Sequence, residues 1–187
     1  MQIFQELKID WTAFAALTAL AIWIVDGYRR RRERQASRRL LAQIMTAPVA
    51  LAQIEIAKLR SLIVPPSGGD TSYLLRVLNH HSERQNFASK VAKITFDLPT
   101  QFLDKAEIFS EALSNRLASA FAQINRLRSV CQLFGELPDT VDEEERSQSL
   151  NLVLTQIQDA EQSVGEVFQA LLREGRASAR FQRLSQQ

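Results

Sequence analysis

With 187 residues, 45% of them hydrophobic and 24% charged, the chain is long enough for one domain plus an anchor. A net charge of +2 is too small to draw the whole molecule to nucleic acid. The single cysteine, Cys131, excludes an internal disulfide framework and any multi-cysteine zinc site, and it suits a reducing cytoplasm.

The first ten residues, MQIFQELKID, read as a short outer segment with a frayed end. Trp11 to Val25 follows, WTAFAALTALAIWIV, with no charged residue and with Asp10 and Asp26 on either side. A spanning helix needs about 20 apolar residues. This run is shorter, but Trp11, Trp23 and Tyr28 mark its ends, where amphipathic rings favour the headgroup level. Acids at the ends of a span cost less than acids at its centre, because water and thinned lipid reach them. The stretch is therefore expected to cross a membrane. A buried core helix is the competing reading. A cleaved signal peptide fits poorly: no basic segment precedes the run, and arginines stand where a cleavage site belongs. Ala15 and Ala19, four apart, would let two such helices approach closely.

Next comes a basic collar of Arg29, Arg30, Arg31, Arg32, Arg34, Arg38 and Arg39 against one acid, Glu33. Basic residues beside a span stay on the cytoplasmic side. The expectation is an inner-membrane, single-pass protein with its N-terminus outside and everything after Tyr28 cytoplasmic. Set against a span, such a cluster signals orientation and meets anionic headgroups, rather than nucleic acid. From Leu40 onward, 15 basic and 17 acidic residues nearly balance.

The fold class expected is all-α: an N-terminal single transmembrane helix followed by an antiparallel helical bundle with long, coiled-coil-like helices. Three regions are predicted. Residues 1–28 form the outer segment and span, 29–39 the juxtamembrane collar, and 40–187 the cytoplasmic bundle, with helices over about 40–63, 71–96, 100–134 and 141–184. The first helix passes Leu40, Leu41 and Ile44 and resumes through Leu51, Ile54, Ala57, Leu59 and Leu62. Pro48 either kinks it or opens a fresh helix capped by Thr46. PPSGGD at 65–70 is a turn, with Asp70 or Thr71 capping the second helix. That helix carries the two histidines, His80 and His81, about 100° apart around its axis, which suits a surface role better than a metal site. FDLPT, with Asp97 or Thr100 as cap, opens the third helix.

The third helix carries Leu113, Leu117, Ala120, Ile124, Leu127, Cys131 and Phe134 at bundle spacing, and Gly135 is expected to end it. Cys131 lies on that stripe and reads as a small apolar residue. Thr140 and Glu143 make a capping box for the fourth helix, and the acids at 142–145 suit its dipole. Its interaction stripe is Leu150, Val153, Ile157, Ala160, Val164, Val167 and Leu171, buried against another helix of the bundle or a partner chain. Around and beyond Gly175, Arg173, Arg176, Arg180 and Arg183 recur at helical spacing with Phe181 and Leu184. Alternating helix directions would bring this tail back to the inner leaflet, with a solvated, frayed end as the competing reading.

No nucleophile elbow, phosphate loop, paired catalytic carboxylates or metal motif is present in the sequence, so an enzyme is not expected and no cofactor or small-molecule substrate is assigned. The function expected is a membrane-anchored protein-interaction or assembly module at the cytoplasmic face. Its partners would be membrane lipid and either a second copy or another protein, not nucleic acid. The alternative is an oligomeric membrane-active or signal-transmitting protein whose span changes permeability or relays a conformational change.

Overall fold

The computed structural model describes residues 11–65, 69–96 and 109–184, the side chains of 11–14 and 176–184 excepted. Among the described residues the chain is all-helical, with no strand. The described residues form five helices: α1 (Trp11–Ile63), α2 (Ser72–Asn79), α3 (His81–Ala92), α4 (Glu111–Glu136) and α5 (Glu143–Leu184). Two compact units divide the chain, Met1–Arg38 and Arg39–Gln187. The outer segment, the Asp97 and Thr100 caps and the predicted start of the third helix at residue 100 lie outside the described residues.

Within the second unit, α1 buries Ala42, Met45, Val49, Ala52, Ile56, Leu59 and Ile63, a run of alternating three- and four-residue steps. Most of the apolar residues through which the sequence carries this helix past Pro48 lie on other faces. Leu51, Ile54 and Leu62 are 57%, 50% and 42% exposed, and of the residues expected to continue the helix only Leu59 is buried. Both sides of this helix are apolar, so period alone does not choose between them. The helix passes unbroken through Pro48. Thr46 caps nothing: its hydroxyl donates to the Ala42 carbonyl at 2.7 Å. Proline has no N–H to offer the Ile44 carbonyl. Met45, Val49 and Ala52, all sealed in the core, hold the turn in spite of that loss.

The predicted second helix is two. His80 is extended, at φ −122° and ψ 122°. Its N–H bonds to the Arg76 carbonyl, while its own carbonyl accepts from the Glu83 and Arg84 N–H groups. One residue thus closes α2 and opens α3. Asp70 fixes the entry to α2, accepting from the Ser72 N–H at 2.8 Å and the Ser72 hydroxyl at 2.6 Å. Lys90 reaches the Tyr73 hydroxyl at 3.3 Å and lies 5.0 Å from the centre of that ring, tying α3 to α2.

α4 starts later than expected, at Glu111, where the Ser110 hydroxyl accepts from the Leu113 N–H. Its end also differs, since it runs through Gly135 to Glu136. Glycine is needed there for proximity: a Cβ at 135 would lie 2.8 Å from the Ala88 Cβ of α3. α5 is capped by Asp142, not Thr140, with the Asp142 carboxylate accepting from the Glu145 N–H at 2.9 Å. α4 packs along α3 and α5. Leu113, Leu117, Ala120, Ile124, Leu127, Cys131 and Phe134 of α4 join the α5 stripe, Val77, Phe87 and Val91 in one hydrophobic core. Each buried Val, Leu or Ile contributes about 1.5–3 kcal/mol, more than any helix-propensity difference apart from proline's, so burial fixes the faces. Along α1 and α5, Gln53 lies beside Gly165, Gln43 beside Gly175, and Arg60 bonds Glu161 at 2.7 Å.

Candidate functional site

In the first unit every residue from Ala15 to Ala36 is exposed. Leu17, Ile22, Trp23 and Val25 are each about two-thirds or more open, with Leu20 and Ile24 just over half. These residues surround the helix on all sides. A helix that is apolar all round normally lies in a protein interior or in lipid; here, among the described residues, the stretch is left exposed. Among the described residues α1 is the one helix long and apolar enough to cross a membrane. Thr18, its polar interruption, donates to the Ala15 carbonyl at 2.8 Å and so is satisfied without water.

Trp23 and Tyr28 are open, and the side chain of Trp11 lies outside the described residues. Arg30 pairs with Asp26 at 2.8 Å, which neutralises the acid that follows the apolar stretch. Arg29 pairs with Glu33 at 3.0 Å, and the Arg32 guanidinium sits 4.9 Å over the Tyr28 ring. Arg31 and Arg34 are exposed, Arg38 and Arg39 half-buried. Such exposed pairs contribute little stability; they set where charge sits along the helix. Trp23, Ile24, Gly27, Tyr28 and Arg31 line a shallow groove.

Leu150, Val153, Ile157, Val164, Val167 and Leu171 are all buried, the most open at 7%. The predicted interaction stripe is thus spent on the chain's own core and offers no free face to a partner. Among the described residues of the second unit, apolar surfaces stay open elsewhere, and two of them are extended. One is the outer face of α1, with Leu40, Ile44, Leu51 and Ile54. The other is a notch between the end of α4 and the start of α5, lined by Val130, Leu133, Phe134, Leu137, Ser149 and Leu152. The side chains of Arg176, Arg180 and Arg183, with Phe181 and Leu184, lie outside the described residues.

Cys131 is sealed in the core, and burial pushes its thiol up to about 12. No three His, Cys, Asp or Glu side chains gather as a metal site among the described residues. His81 is engaged by the Leu137 carbonyl, 2.8 Å from Nδ1; a carbonyl only accepts, so Nδ1 carries the proton.

The residue that sequence reasoning missed is Arg84, 0% exposed. Its guanidinium donates to the Leu78 carbonyl at 2.9 Å, the Leu137 carbonyl at 2.8 Å and the Asp139 carboxylate at 2.6 Å. Leu78 is where the α2–α3 break leaves a carbonyl without its helical donor, and Leu137 closes α4. Arg84 therefore ties the α2–α3 junction to the segment that follows α4. The signal was present: Val77, Arg84 and Val91 are seven apart, so the arginine falls on the core face. Hydrogen bonding from Arg84 holds the Asp139 carboxyl below the ordinary carboxylate value, with the charges of Arg84 and His81 adding to it.

No family model, curated protein or solved structure matches this chain.

Proposed function

We propose that the chain is a single-pass membrane protein whose cytoplasmic part, an antiparallel helical bundle, serves as an interaction or assembly module at the inner membrane face. One observation carries this: an apolar helical stretch left open on all sides, followed at once by an arginine collar. Lipid is the environment in which that stretch is stable, and arginines beside a span favour the cytosolic side. The antiparallel arrangement is supported by the Gln43–Gly175, Gln53–Gly165 and Arg60–Glu161 neighbours, whose numbers rise on one helix as they fall on the other. An interaction role, rather than catalysis, is supported by the open apolar faces beside a well-filled core.

A second reading draws on the unbroken run of α1 from Trp11 to Ile63. A continuous helix would couple the span mechanically to the bundle, as a relay or a permeability device requires. Replacing Trp11–Val25 with polyleucine separates the two. The module reading expects unchanged membrane potential on expression and the same proteins captured by a photo-cross-linker at Leu133, with and without the replacement. Collapse of the potential by the natural chain, abolished by polyleucine, would overturn it in favour of the second reading.

A further inference from the structure

We propose that the outer face of α1 docks on the same face of a second copy of this chain, the two helices running parallel. The inference rests on the membrane-anchored reading above and names the partner. Leu40, Ile44, Ala47, Leu51 and Ile54 follow one another at steps of four, three, four and three. The four larger ones are 43–58% exposed, Ala47 is open, and they lie on the side of the helix away from Ala42, Val49 and Ile56. Residues at this spacing form the seam of two matched helices. Ala47, at the middle of the seam, allows close approach. Its polar end is marked by Lys58, already held by Glu55 at 2.9 Å.

The charge pattern argues against lipid as the occupant. A helix that lies on a membrane surface carries Lys or Arg beside its apolar face. Between Leu40 and Ala57 there is none, and the only charged residue is Glu55. Anchoring argues for a like copy: two chains inserted in the same sense present α1 in the same direction, so equal residues meet in register.

Area fixes the conditions. From Leu40 to Ile54 the seam is about 21 Å long at helical rise, and with a width of about 10 Å it covers on the order of 200 Å² per copy. Specific complexes in free solution bury about 1,200 Å² or more in total. The pair is thus too small to hold without a tether. A shared membrane supplies one by raising the effective concentration.

Single-cysteine variants of the full chain in lipid vesicles test this, with oxidation to a disulfide as readout. The unsubstituted chain gives the background from buried Cys131. L40C, A47C and I54C should each cross-link to themselves at least fivefold above S129C, which lies on an exposed part of α4. Adding L51E to A47C should remove that gain, and so should tenfold dilution with lipid. Cross-linking at A47C alone overturns the parallel arrangement. A chain that floats with the vesicles but cross-links no better than S129C overturns the pairing while leaving the anchor intact. A chain that does not float overturns both.

Discussion

The two apolar stretches of α1 live in opposite surroundings. From Leu17 to Val25 the side chains are apolar on every face, and the large ones stay more than half exposed. From Ala42 to Ile63 the apolar residues repeat every three or four, and one face is sealed at 0–3% exposure. Helix-forming tendency is alike in both, so it does not decide their fate. The difference is what an all-round apolar surface needs and what a stripe needs. A stripe is satisfied by other helices of its own chain, whereas a surface without a polar side requires an apolar medium.

A charge placed in each stretch gives the largest contrast. Ile56→Asp buries an unpaired carboxylate in the core and is expected to cost on the order of 4 kcal/mol or more, enough to abolish cooperative melting by circular dichroism. Leu20→Arg leaves that melt unchanged and instead costs about 3 kcal/mol of membrane insertion, read as loss from the membrane fraction. If both variants behave alike, the distinction between the stretches is wrong.

Next in size is Arg84→Ala, expected to destabilise by about 3 kcal/mol because the Leu78 carbonyl loses its side-chain donor, the Leu137 carbonyl keeps only His81, and Asp139 loses its partner. Arg84→Lys should recover only part of this, since an ammonium cannot span three acceptors in the fork geometry. Denaturant melts of the full chain in detergent measure both.

Two glycines inside helices sharpen the packing side of the comparison. Ala at either position gains about 1 kcal/mol of helix preference. At Gly135 the new methyl would meet the Ala88 Cβ at 2.8 Å, so crowding wins and a net loss of about 1–2 kcal/mol is expected. At Gly165 the nearest atom is the Gln53 side-chain nitrogen at 3.7 Å, an ordinary contact, so Gly165→Ala is expected to stabilise. Equal effects at the two positions would contradict the account of Gly135.

The smallest expected effect is that of acid on Asp139. Its folded-state pKa is depressed below the ordinary 3.8, chiefly by the hydrogen bond from Arg84. A depressed carboxyl stabilises the fold above the unfolded value, and this contribution disappears as pH falls through the folded value. Melting temperature should therefore decline on acidification below pH 3.8, and Asp139→Asn should flatten that part of the decline.

Much of the fold was legible because burial follows period. On α4 and α5 one face carries an unbroken apolar stripe and the others only isolated apolar residues such as Phe121, Leu133 and Leu152, so the stripes from Leu113 and Leu150 could be read directly. On α1 both Ala42–Val49–Ile56 and Leu40–Ala47–Ile54 satisfy the same period, and which one the core takes depends on neighbours far along the chain. The break at His80 was hidden for a related reason. It is held by Arg84 reaching residues more than fifty positions away, Leu137 and Asp139. Gly135 resembled a helix stop because glycine serves both as a terminator and as a point of close packing. Only the position of α3 distinguishes the two. The exposed apolar stretch from Ala15 to Val25 and the arginines that follow it were legible because they depend on local composition.

The central claim is that the stretch before the collar sits in lipid, and the chain carries its own probes of that. Its two tryptophans, Trp11 and Trp23, bracket the stretch. Fluorescence quenching of the full chain in bilayers reports on them directly. The account predicts strong quenching by lipids brominated near the headgroup and weak quenching by aqueous iodide. Full quenching by iodide with no response to brominated lipid would contradict it.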